Sequence, residues 1–196
     1  RYAKNPIEAI AFSVNNRLLA YTRHSADDKG RLGSTLHIYD LYAKKELQSI
    51  FLLNHRYKSK IDNKQSPSNR IQFSQNGQKL VLSFQDKVTL LDRKTEHFKD
   101  YPARNSDAVF SANSQSVIYK SRANNAALMV INARSGKAQK IPAYADSNKQ
   151  TLALVQSLDK RLIVLPILKQ KSDKASFLIF NGQTGVFMRL LEEKSE

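Results

Sequence analysis

The sequence predicts an all-β protein assembled from repeated antiparallel sheets. Three observations carry this. A ten-residue strand–turn–strand phrase occurs four times, an apolar strand ending in Asp or Asn follows each copy, and the apolar runs are short. The longest apolar stretch, Leu162 to Leu168, is interrupted by Pro166, and no segment approaches the roughly 18 apolar residues of a membrane helix.

The first copy of the phrase runs from Phe12 to Tyr21, the second from Phe73 to Leu82, the third from Phe110 to Tyr119. A degraded fourth runs from Val155 to Val164. In the first three an apolar run ends at an aromatic. Serine with Asn or Gly then supplies the side-chain-to-backbone bonds and the positive φ of a tight hairpin turn. Asn76-Gly77 is the strongest such signal in the chain. The following motif is Leu36 to Asp40, Val88 to Asp92, Leu128 to Asn132 and Phe177 to Asn181, and turn residues come next. Short strands then follow at Glu46 to Leu53, Ala138 to Ile141 and Val186 to Leu191. Each unit therefore offers up to four strands in meander order. The predicted units cover about 7–53, 70–101, 106–143 and 150–191, within a single domain over 1–196.

Successive phrases start 61, 37 and 45 residues apart. The last two intervals suit a propeller blade of about 40–45 residues. The first is lengthened by insertions at Ser25 to Ser34 and Asn54 to Asn69. Phe12 to Tyr21 and Leu36 to Leu41 resemble the WD40-like repeats of TolB-type and prolyl-oligopeptidase-type β-propellers, whose blades read F-S-P-D-G-x-x-L-A-Y and then L-x-I-Y-D-L. The chain departs from those repeats in lacking Pro after Ser, in carrying Asn16 and Ser114 where Gly is usual, and in having no Trp. The resemblance implies a β-propeller or propeller-like arc of about four four-stranded blades. It implies a bacterial protein, with a periplasmic or envelope-associated location favoured over a cytoplasmic one. Four blades are few for a ring. A closed four-blade ring, a fragment of a larger propeller and an arc completed by a partner all fit. Arg1 in place of Met reads as a processed or truncated start. An incomplete ring would expose sheet edges and apolar blade faces unless a partner covers them.

The site chemistry is sparse. With no cysteine, disulfides, thiol nucleophiles and Cys-based zinc sites are excluded. His24, His37, His55 and His97 do not pair at metal-ligand spacing, and no G-x-S-x-G, P-loop or G-x-G-x-x-G occurs. Asp27-Asp28 reads as a solvated turn, and so does Glu192-Glu193 as a polar tail. The first strands offer only Glu8, Arg70 and Asp107 to a propeller axis, too few for a mechanism. The expectation is a protein that is not an enzyme and has no cofactor or metal.

Net charge is +15, from 32 basic and 17 acidic residues. That excess favours anionic partners or simply keeps a lysine-rich surface soluble. The basic linker 54–69 with Arg70 places Arg56, Lys58, Lys60, Lys64 and Arg70 around Tyr57 against one acid, Asp62. Such a loop clamps phosphates or meets an acidic surface, or serves as a solvated linker. Lys169, Lys171 and Lys174 form a weaker basic group. The function expected is a non-catalytic protein–protein interaction module or scaffold, part of a larger complex or a receptor's sensor domain. The alternative is binding of nucleic acid or another polyanion through the 54–70 loop.

Overall fold

Four antiparallel sheets, one after another along the chain, make up the computed structural model, and no helix occurs among the described residues. These are residues 7–53, 70–84, 86–103, 108–121, 128–141, 149–151, 154–157, 159–169 and 175–192. The first sheet meanders through β1 (Ile7–Phe12), β2 (Leu18–Ala26), β3 (Leu32–Asp40) and β4 (Lys45–Leu53). The second repeats this order with β5 (Arg70–Phe73), β6 (Lys79–Ser83), β7 (Lys87–Asp92) and β8 (Phe98–Pro102). The third uses β9 (Val109–Phe110), β10 (Ser116–Lys120), β11 (Leu128–Asn132) and β12 (Ala138–Lys140).

In the fourth sheet the first strand is broken. Both β13 (Lys149–Thr151) and β14 (Val155–Gln156) pair with β15 (Leu162–Lys169), which continues to β16 (Ala175–Asn181) and β17 (Phe187–Glu192). The first strands of successive sheets neighbour one another, β1 beside β5 and β5 beside β9. This is the radial arrangement of propeller blades, here an arc: no buried cluster joins the fourth sheet to the first among the described residues.

The turn chemistry recurs in all four sheets. Ser13, Ser74, Ser111 and Ser157 each donate a hydroxyl hydrogen bond to the side chain two residues on, Asn15, Asn76, Asn113 and Asp159, at 2.7–2.9 Å. Each hydroxyl also accepts from the backbone N–H five residues on. The residue three after each serine, Asn16, Gly77, Ser114 or Lys160, has φ of 55–68°. A second turn hangs on Asp40, Asp92, Asn132 and Asn181, whose Oδ1 accepts two backbone N–H groups each. These are Asx turns, in which a short polar side chain replaces a backbone acceptor.

Two sequence expectations shift. In the fourth unit the turn serine is Ser157, so Gln156, and not Val155, stands where Phe12, Phe73 and Phe110 stand; the missing aromatic displaced the alignment by one residue. Half of the segment Ser25 to Ser34 is strand, because β2 and β3 pair out to Ala26 and Leu32. Only the tip turns, around Asp27, whose carboxylate accepts from the N–H of Lys29 and Arg31 and pairs with the Arg31 guanidinium at 2.6 Å.

Three apolar clusters lie between the sheets, one for each neighbouring pair. Ala20, Leu36 and Ile38 of the first sheet meet Leu80, Leu82 and Leu91 of the second. The second and third sheets, covered on both faces, bury every residue in the middle of β6, β7 and β10. This matches the near-continuous apolar runs of strands covered on both faces. Polar clamps tie the arc at its rim and near its axis. Phe110 N–H donates to Gln72 Oε1 (2.9 Å), and Gln156 Nε2 donates to the Phe110 carbonyl (3.2 Å). Gln48 Nε2 donates to the Arg93 carbonyl (2.8 Å), and Tyr101 Oη to the Gly136 carbonyl (2.9 Å).

Candidate functional site

Of the residues singled out in the basic segment, Arg56, Tyr57, Lys58, Lys60 and Lys64 lie outside the described residues. Arg70 opens β5, exposed, with its backbone opposite Ser83. Lys169 ends β15, while Lys171 and Lys174 lie outside the described residues, as do His55 and Asp107.

Catalytic groups do not gather among the described residues. Glu8 accepts from Ser34 Oγ (2.6 Å) and lies 3.8 Å from His24 Nδ1. The His37 ring stacks on Tyr21 at 4.8 Å and holds Glu46 at 2.6 Å. His97 lies in the exposed β7–β8 turn. No group of three His, Asp or Glu side chains among the described residues could hold a metal ion. Burial, with Tyr119 nearby, pushes the Tyr101 hydroxyl up to about 12, so it stays a hydrogen-bond donor to Gly136 at neutral pH.

A groove of about 600 Å³ opens between the first two sheets at the end that carries both kinds of turn, lined by Arg17, Asp40, Leu47, Asn76 and Arg93. Its charged groups make internal bonds. Arg17 is paired with Asp40 at 2.9 Å, and Arg93 donates to the Gly77 carbonyl at 2.7 Å. The backbone N–H of Ala43 and then the Arg17 guanidinium hold the Asp40 carboxyl below its ordinary range. Each of these pairs lies within its own sheet, one on either side of the groove.

The unspent surface lies on the two end sheets. Cross-strand register makes positions in successive sheets equivalent: Phe12, Leu19, Tyr21 and Tyr39 of the first correspond to Phe73, Leu80, Leu82 and Leu91 of the second. In the second sheet all four are buried against the first. On the first sheet the same face has no neighbouring sheet among the described residues. Phe12 is 56% exposed where Phe73 is 5% exposed, and Ile10 is 56% exposed where Ile71 is 6% exposed.

The converse holds at the other end. The face by which the third sheet meets the fourth carries Val109, Ile118 and Leu128, all buried. Val155, Val164 and Phe177 are the fourth sheet's counterparts. There Val155 is 54% and Phe177 36% exposed, with Leu191 exposed beside Phe177. Arg189 is the cation on this face, opposite Ile179. Sequence reasoning named neither Phe12 nor Phe177 as a site residue. The signal was present, since β1 and β16 are apolar at both alternating sets of positions, which a sheet wetted on one face does not need.

No protein-family model matches the chain, and no curated protein matches it. Solved structures do. A functionally unknown protein from Desulfotomaculum acetoxidans superposes with a TM-score of 0.59 at 10% identity, over 98% of this chain and 58% of that one. Hydrazine synthase from Kuenenia stuttgartiensis gives 0.57 at 12% identity, over 98% and 51%. A chain of a mitotic checkpoint complex gives 0.57 at 12% identity, over 96% and 51%. At such identities the likeness is one of fold, the propeller type. The chain spans between about half and three-fifths of the length of these similar chains.

Proposed function

We propose that this chain is a non-catalytic protein–protein interaction module that docks its partner through the apolar faces of its end sheets. One observation carries this reading: Phe12 and Ile10 at one end, and Val155 and Phe177 at the other, are exposed at positions whose equivalents are buried between sheets. Contiguous exposed apolar surface of this kind marks an interaction site. Large aromatic side chains supply the anchors of such contacts. A rigid sheet also presents them at little cost in ordering. The TolB-type resemblance supports a bacterial envelope assembly or a receptor's sensor domain as the setting. Affinity capture from the native cell tests the reading. Phe12→Asp or Phe177→Asp should release a stoichiometric partner that the unaltered chain retains. Capture unchanged by both substitutions overturns it.

The net charge of +15 favours a second reading, polyanion binding through the 54–70 loop. It predicts that binding to a DNA oligonucleotide falls steeply as salt rises and is lost when Arg56, Lys58 and Lys60 are neutralised. Binding that ignores salt and survives neutralisation rules this out.

A further inference from the structure

The groove between the first two sheets differs in two residues from the matching place between the second and third. At that later junction Gln75 N–H donates to Ser114 Oγ at 2.6 Å, which ties one serine turn to the next. Between the third and fourth sheets, Ala112 N–H donates to the Gly182 carbonyl. Val14 stands where Gln75 and Ala112 stand, one residue after its turn serine. Its N–H has no acceptor among the described residues, because Gly77 takes the place of Ser114 and carries no hydroxyl. A Cβ on Gly77 would meet only Leu18 Cδ1, at 3.8 Å, so the space that a serine would use is open. The second difference is Arg93. Its counterpart in the third sheet is Ala133, which is buried in the core. Arg93 is held by its backbone, whose N–H donates to the Gln78 carbonyl (2.9 Å) and whose carbonyl accepts from Gln48 Nε2 (2.8 Å). One guanidinium N–H goes to the Gly77 carbonyl, a neutral acceptor. The Nε–H is buried without an acceptor, and no carboxylate among the described residues pairs with the charge. Burial alone shifts the Arg93 pKa, downward, as befits a cation with no counter-ion beside it.

A partly buried cation without a counter-ion is costly, and an anion that reaches it offsets that cost. We propose that the groove binds a carboxylate side chain on an acidic, partly apolar peptide segment of a partner protein, held by the Arg93 guanidinium and the Val14 N–H. The charge of the lining favours this: Arg17 and Arg93 stand against one carboxylate, Asp40, which Arg17 already meets. Val14 and Leu47, 53% and 39% exposed on the walls, offer apolar contact beside the charge. A volume of about 600 Å³ would also admit a small molecule, but small-molecule sites enclose most of their ligand. Walls this exposed suit a segment laid across them. The site adds to the interaction reading above and rests on it only in taking the partner to be a protein.

A library of acetylated, amidated random hexapeptides passed over the immobilised chain tests this. Retained peptides should carry Asp or Glu beside an apolar residue, and changing that acid to its amide should abolish binding. Arg93→Gln should weaken the tightest peptide roughly tenfold or more, through loss of a charge-assisted bond. Gly77→Ser should weaken it similarly, because the new hydroxyl takes the Val14 N–H as Ser114 takes that of Gln75. Serine accepts this backbone, since Ser114 itself has a φ of 58°. Circular dichroism of both variants should match the parent, and if Arg93→Gln unfolds the chain, Gly77→Ser decides alone. Binding indifferent to both changes overturns the inference, and so does retention of peptides that carry no acid. Neutralising Arg56, Lys58 and Lys60 should leave the peptide bound; its loss there assigns the acid to the 54–70 loop and overturns the groove. Succinate that binds with the same dependence on Arg93 and Gly77, where no peptide is retained, overturns a peptide occupant. Phe12→Asp and Phe177→Asp should leave peptide affinity unchanged. A chain that retains no peptide, yet whose partner capture depends on Phe12 and Phe177, overturns this site and leaves the interaction reading standing.

Discussion

Asp92 and its counterparts illustrate how one side chain defines a turn. Its Oδ1 accepts the N–H groups of Lys94 and Thr95, and its Oδ2 meets Lys79 Nζ at 2.6 Å. The Lys79 ammonium, ahead of those backbone donors, holds the carboxyl below its ordinary value. The third and fourth sheets make the same turn with Asn132 and Asn181, which accept the backbone bonds without the charge. A folded-state pKa below the unfolded value stabilises above the unfolded value, near 3.9. That stability is lost as pH falls through the folded value. Asp92→Asn should therefore keep the fold and flatten the acid limb of a stability-versus-pH curve below about pH 4. Asp92→Ala should instead cost about 1 kcal/mol at neutral pH, because two N–H groups lose their acceptor. Urea titrations across pH distinguish the two.

At the scale of elements, the same leucine in the same strand position has different weight in different sheets. Leu80 and Leu19 are equivalent in β6 and β2, yet Leu80 is fully buried between two sheets while Leu19 is half-buried on the uncovered face. Leu80→Ala should cost about 2–5 kcal/mol in denaturant unfolding, the usual range for emptying a packed core site. Leu19→Ala should cost well under half of that in the single chain. Equal losses would mean that the first sheet's rear face is already covered. The turns at either end of these strands were legible in the sequence, because Ser-x-Asn phrases carry their own hydrogen bonds. The fourth unit's register was not legible, because Gln156 replaces the aromatic that marks the strand end and only the bonds of Ser157 locate the turn. The extension of β2 and β3 into the two ends of the polar stretch Ser25 to Ser34 was hidden for a related reason. Its strand pairing is held by backbone bonds and by contacts such as Ser25 Oγ to Thr35 Oγ1 at 2.6 Å, and leaves little apolar alternation to read.

Across the whole molecule, stability is distributed by cover. The second and third sheets are packed on both faces and the first and fourth on one, so opening should begin at the ends, as in stacked-repeat proteins where each unit leans only on its neighbours. Hydrogen exchange of the single chain should find the slowest amides in β6, β7, β10 and β11, and faster exchange in β1 and β17. Uniform protection from end to end would contradict that order. By itself, the sequence determined the all-β class, the four meandering units and both turn types, because strand period and turn chemistry are local properties. Only the tertiary structure decided which apolar residues are core and which are surface. Phe12 and Phe73 sit in matching phrases, and nothing local separates them. Burial depends on whether another sheet lies against that face, and at the two ends of this arc none among the described residues does.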